Sequence, residues 1–102
     1  KQKLATIEDF CEKIEIGKKN SRKMMIFARI EALVAGFDQK EAMTRAEAYS
    51  QAGADGIFIH SSKKTPDEIF EFLENYKKEK KLKAQEEIKL RESKWVRAIK
   101  NF

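Results

Sequence analysis

The stretch Gly53–Ser62, GADGIFIHSS, closes a short apolar run with a histidine and two serines. Earlier in the chain, Met24–Ala32, MMIFARIEA, closes a similar run with an arginine. Setting Met25 to Arg29 against Gly56 to His60 gives a constant offset of 31 residues, about the length of one strand-plus-helix unit. Both runs are short, continuous and rich in branched and aromatic residues, as expected of parallel strands covered on both faces. The expected strands lie near 24–30 and 56–60, adjacent and parallel.

Three helices fit around them. TIEDFCEKIEIGKK places Thr6 at a capping position with Asp9 three residues on, and Ile7, Phe10, Cys11 and Ile14 recur at helical spacing until Gly17. DQKEAMTRAEAYSQAG starts at Asp38, stops at Gly53, and carries alanines that permit close packing on a sheet. TPDEIFEFLENY has Thr65 as cap, Pro66 in the first turn and Glu68 three residues beyond the cap, with Ile69, Phe70, Leu73 and Tyr76 as its apolar face. The predicted spans are 6–16, 39–52 and 66–78. Helix, strand, helix, strand, helix with short loops is an α/β order, and it implies a parallel sheet with crossover helices.

Charge divides the chain. Residues 1–76 hold 12 Lys and Arg against 13 Asp and Glu, whereas residues 77–102 hold 10 against 4, so the net charge of +5 lies in the tail. That tail has no Gly or Pro, and carries a sparse apolar series of Leu82, Ile88, Trp95, Ile99 and Phe102. The expectation is two regions, 1–76 and a basic helical tail over 77–102 that docks its apolar residues on another surface. Four interleaved acids and the lack of a recognised motif argue against nucleic acid as the tail's partner.

The single cysteine, Cys11, excludes an internal disulfide and a structural zinc set, and points to a reducing compartment such as cytoplasm or an organelle matrix. No apolar run approaches the roughly 18 residues of a membrane span. The chain opens on Lys1 rather than methionine, which fits a segment of a longer polypeptide.

In parallel α/β folds, ligands bind at the carboxyl ends of strands, and Arg29 and His60 sit at two such ends. Arg offers a planar fork of donors to a carboxylate or phosphate, and His offers a donor or a proton. A structural reading stands beside this one: His60 as a hydrogen-bonded residue, Arg29 paired with Glu31, and the Ser61–Lys64 segment SSKK as a solvated loop rather than a phosphate-binding turn.

ARIEALVAG (28–36) followed by EAMTRAEAYSQAGADGIFIHSSKK (41–64) resembles the corresponding segment of the phosphoenolpyruvate mutase family, in the superfamily that includes isocitrate lyase, methylisocitrate lyase and phosphonopyruvate hydrolase. The resemblance runs from about residue 3 to 76. It implies a fragment of a (β/α)8 barrel and an enzyme that interconverts phosphoenolpyruvate and phosphonopyruvate. By the same resemblance Arg29 and His60 are catalytic and substrate-binding, Ser61 is substrate-binding, and Glu31 supports them from behind. Glu31 matches the acid of the family's arginine motif where lyase relatives more often carry aspartate, which favours the mutase branch.

The substrate so implied is a small phosphorylated or phosphonate carboxylate, with a protein partner or oligomer. Magnesium is expected for the full enzyme, bound by acids on earlier strands that this chain does not contain. A barrel of this kind needs about 250 residues, so two strands of eight are present. The competing expectation is a catalytically inactive remnant that serves as a structural subunit in a larger assembly.

Overall fold

The computed structural model describes residues 3–100. In chain order the elements are α1 (Ile7–Asn20), β1 (Phe27–Ile30), α2 (Gln39–Gln51), β2 (Gly56–Ile59) and α3 (Asp67–Lys100). The strands are adjacent and parallel, as expected, with Phe27 opposite Gly56 and Ile30 opposite Ile59. By contact, residues up to Phe72 form one compact unit and those from Leu73 a second, with α3 running through both.

Local chemistry sets the element ends. Thr6 Oγ1 accepts the Asp9 N–H at 3.1 Å, and Asp38 Oδ1 accepts the Glu41 N–H at 2.9 Å, so two of the three predicted helix starts are side-chain caps. After α2, Gly53 takes φ +118° while the Gly53 and Ala54 amides return to the carbonyls of Ser50 and Tyr49, a paired C-terminal closure that favours glycine.

Gly17 does not stop α1. The helix continues to Asn20, and the Ser21 N–H closes it on the Gly17 carbonyl. A Cβ at Gly17 would stand 3.0 Å from Ile26 Cδ1, so this glycine serves the approach of α1 to the segment entering β1. Nor does α3 start as a capping box, because the Glu68 carboxylate turns to Ser61 and Lys63 in the preceding loop.

The core of the first unit lies on one side of the sheet. Ala28 and Ile30 of β1, Ala42, Ala46 and Tyr49 of α2, Ile14 of α1 and Phe72 of α3 are all buried, along with Ala32, Leu33 and Ala35 in the turn after β1. Small side chains let α2 sit close on β1, and the Phe10 and Tyr49 rings stack at 4.3 Å between α1 and α2. Cys11 donates to the Ala48 carbonyl at 3.5 Å. Burial, with Glu15 and Glu8 nearby, pushes its thiol above the ordinary value, which favours the protonated form.

The other side of the sheet is not covered. Phe27 is 53% and Phe58 62% exposed, with rings 5.7 Å apart, which corrects the expectation of strands covered on both faces. β1 is also shorter than expected: Met24 and Met25 lie outside it and are exposed.

The apolar face of α3 differs from the sequence reading as well. Phe72 is 1% exposed and packs in the core, while Phe70 and Leu73 face solvent. Residues 69, 72 and 76 share one helical stripe, and 70 and 73 lie to its side. In the second unit α3 runs on through Tyr76 and Lys77 without a break, since no Gly or Pro interrupts it. Leu82 and Ile88 are exposed rather than buried against this chain, and the side chains of Trp95, Ile99 and Phe102 lie outside the described residues. Among the described residues no helix is long and apolar enough to cross a membrane.

One carboxylate joins α1 to both strands. Asp55, just before β2, accepts from Lys18 Nζ at 2.8 Å and from the Ile26 N–H at 2.7 Å, while its own N–H donates to the Ile26 carbonyl at 2.7 Å. The Lys18 and Ile26 hydrogen bonds hold the Asp55 carboxyl below its ordinary value.

Two measurements check this packing. Phe72→Ala should cost about 3–5 kcal/mol in urea unfolding, a large share of a typical domain's stability, whereas the exposed Phe70→Ala should cost under about 1 kcal/mol. Because Asp55 has a lowered folded-state value, its contribution is present above the ordinary carboxylate range and is lost as pH falls through the folded value. Wild-type protein should therefore lose thermal stability on acidification by more than Asp55→Asn does.

Candidate functional site

β1 and β2 bring their carboxyl ends to one edge of the sheet, and the pleat decides which side chains meet there. Arg29 pairs in the ladder with Phe58, not with His60; the register offset is 29 residues where alignment of the two runs gives 31. His60 lies just past β2, its N–H on the Ile30 carbonyl at 3.3 Å, level with the start of the turn that holds Glu31. Alternation then places Phe27, Arg29, Glu31, Phe58 and His60 on the same, uncovered face.

The polar three converge. Arg29 Nη2 lies 2.6 Å from His60 Nδ1, and Arg29 Nε donates to Glu31 Oε1. His60 Nδ1 is also 3.4 Å from both Glu31 oxygens. The arginine side chain remains 60% exposed, so its pairing with Glu31 orients the guanidinium without withdrawing it from solvent. Both the paired arrangement and the strand-end cluster of the sequence reading are thus present together.

Ser61 goes elsewhere. Its hydroxyl donates to Glu68 at the start of α3 and accepts the Lys63 N–H at 3.1 Å, and Lys63 Nζ stands 3.5 Å from Glu68. These contacts fold SSKK back on α3 and fix the loop that follows His60.

Arg29 and Glu31 also line a cavity of about 200 Å³ shared with Arg45, Tyr49 and the segment Lys3–Ala5. Arg45 was not singled out from the sequence. Its Nε donates to Glu41 at 2.9 Å, and Nη1 donates to Tyr49 Oη at 3.0 Å and to the Ala5 carbonyl at 2.8 Å. Burial works against its charge, but the hydrogen bonds to Tyr49 and Glu41 outweigh that and hold it above the ordinary guanidinium value. The signal was the spacing of Glu41, Arg45 and Tyr49, each four residues apart on one helix face.

Among the described residues, no group of three His, Cys, Asp or Glu side chains lies close enough to hold a metal ion. The site's resources are therefore an oriented guanidinium, an imidazole and one carboxylate. An Arg and a His presented together from neighbouring parallel strand ends are groups of the kind that can hold an anion, in an α/β unit.

Comparison with known proteins identifies it further. The family model described as phosphoenolpyruvate phosphomutase matches residues 1–94, and the chain belongs to that family. It is 46% identical over 78 residues to a phosphonopyruvate hydrolase of Variovorax sp. (strain Pal2), covering 74% of this chain and 27% of the relative. It is 43% identical over 79 residues to a phosphoenolpyruvate phosphomutase of Tetrahymena pyriformis, covering 76% and 26%. The crystal structure of a phosphonopyruvate hydrolase complex with oxalate and Mg++ matches with a TM-score of 0.70 and 47% identity, over 74% of this chain and 27% of that one. The chain thus spans about a quarter of the length of these relatives.

If Ser61 fixes the loop through Glu68, Ser61→Ala should lower stability by about 0.5–1.5 kcal/mol, the net worth of a hydrogen bond. Amide exchange should then quicken at Lys63 and Lys64 while the protection of β1 stays as it was.

Proposed function

We propose that this chain supplies the anion-binding strand ends of a phosphoenolpyruvate mutase-type enzyme, and that Arg29 and His60 hold a small phosphonate or phosphorylated carboxylate. The observation that carries this is the 2.6 Å approach of Arg29 Nη2 to His60 Nδ1 at the carboxyl ends of two parallel strands, in a chain of this family. Arg29 would take one anionic group of the substrate through its fork of donors, and His60 would donate to the other. Glu31 fixes the angle of the guanidinium. Ser61, next to His60, would reach the substrate only on leaving Glu68.

The reaction is the interconversion of phosphoenolpyruvate and phosphonopyruvate, in which a phosphoryl group moves between oxygen and carbon. Arg29 and His60 would contribute electrostatic stabilisation and orientation to that transfer. Relatives of both names match at similar identity, and Glu31 in the ARIEA motif sets the chain apart from lyase relatives without dividing mutase from hydrolase. One relative was crystallised with magnesium; among the described residues of this chain no group of His, Cys, Asp or Glu forms a metal site.

Two strands with flanking helices fit consecutive units of a (β/α)8 barrel, and the exposed Phe27 and Phe58 occupy the face that further strands would cover. The same exposed face also supports the second reading, a structural subunit docked in a larger assembly.

Residues 1–102 alone are expected to bind phosphonopyruvate weakly. Arg29→Ala should weaken that binding by at least about tenfold, near 1.4 kcal/mol. With magnesium added, the same polypeptide should not interconvert the two compounds. Turnover that disappears in Arg29→Ala would show that the essential groups are all in this chain, and unchanged binding in Arg29→Ala would remove the anion-site reading.

A further inference from the structure

Resting on that reading of the site, we propose that an anion bound on Arg29 draws one proton from solvent onto His60 Nδ1, with Glu31 as the positioning residue that receives the new N–H. A single nitrogen stands between two incompatible neighbours. The guanidinium of Arg29 has only donors, so its 2.6 Å contact requires a lone pair on Nδ1 and places the imidazole proton on Nε2. The carboxylate of Glu31 has only acceptors, so its 3.4 Å contacts require a proton on Nδ1. Both contacts cannot be satisfied at once.

Anion binding decides between them. A carboxylate or phosphonate that takes the Arg29 fork engages Nη2 and removes the donor from Nδ1. A bare Nδ1 would then face the Glu31 oxygens, acceptor against acceptor, beside a newly arrived negative charge. A shift to the Nδ1–H tautomer would answer Glu31 but strip Nε2 of the proton that, on the reading above, His60 donates to the anion; taking up one proton serves both, since an N–H bond forms on Nδ1, buffer supplies the proton, and nothing else leaves. Throughout, Glu31 Oε1 keeps Arg29 Nε, so the guanidinium holds its place while Nη2 changes partner.

Lys3 and Arg45 line the cavity that Arg29 and Glu31 share, and towards α3 Glu68 is engaged by Ser61 and Lys63. Glu31 is the carboxylate within reach of Nδ1. Substitution by glutamine removes the drive specifically, because the amide can donate to a bare Nδ1 and leave the imidazole neutral.

The test uses oxalate without divalent metal, since this dicarboxylate is fully ionised near pH 7.5 and exchanges no proton itself. Calorimetric titration in buffers of different ionisation enthalpy counts the protons taken up, and the imidazole ¹⁵N shifts of the chain's one histidine report its protonation state. Expected are a net uptake of up to about one proton per oxalate and conversion of His60 from the Nε2–H form to the doubly protonated form. In Glu31→Gln the uptake should fall by at least about half, with oxalate still bound, up to about tenfold more weakly. Oxalate binding without proton uptake, or equal uptake in Glu31→Gln, overturns this inference and leaves the anion site standing. Absence of any oxalate-induced shift at Arg29 or His60 overturns both.

Discussion

Asp55 holds the two strands in register. Its carboxylate takes the Ile26 amide and the Lys18 ammonium while its backbone N–H returns to the Ile26 carbonyl, so the entry to β1 is tied at once to β2 and to α1. In a parallel pair a slip of one residue would turn every side chain to the other face. Here such a slip would put Ala28 and Ile30 in water and Arg29 in the core. The cluster of Arg29, Glu31 and His60 exists because this clamp sets the pleat three residues before it begins, at Ile26.

Site and fold make opposite demands on β1, and alternation satisfies both. Even-numbered positions are small or branched and disappear under α2, whereas odd-numbered positions carry the aromatic ring, the guanidinium and the carboxylate on the open face. Gly56 completes the arrangement. A Cβ there would fall 2.5 Å from the Phe27 ring, so the strand pair accepts this aromatic only because its partner position has no side chain. The ring then lies over β2 at the end of the sheet away from the charges.

Much of this was legible in the residues themselves, and what was not has identifiable causes. The caps at Thr6, Asp38 and Gly53 depend on contacts within a few residues, which is why they could be read directly. Gly17 misled because glycine also serves close packing, and its neighbour Ile26 comes from the segment beyond the end of the helix it touches. Phe72 was passed over for Phe70 and Leu73 because two adjacent apolar pairs, Ile69–Phe70 and Phe72–Leu73, leave the stripe ambiguous until a second element chooses it. At the site, Arg29, Glu31 and His60 could be picked out as strand-end groups, but the offset of 31 obscured that Arg29 reaches past Phe58 to meet an imidazole two rungs further on. The engagement of Ser61 by Glu68 was hidden by its dependence on how the loop turns.

The parallel register has a consequence for synthesis. Each rung of the sheet joins residues 29 apart, with all of α2 between them. At ribosomal speeds of about 5–20 residues per second, β1 emerges roughly 1.5–6 s before β2 can pair with it. During that interval its amide edge and Phe27 are open to any other extended chain. α2 is complete before β2 appears, and its alanine face can cover Ala28 and Ile30 at once, but the amide edge must wait for β2.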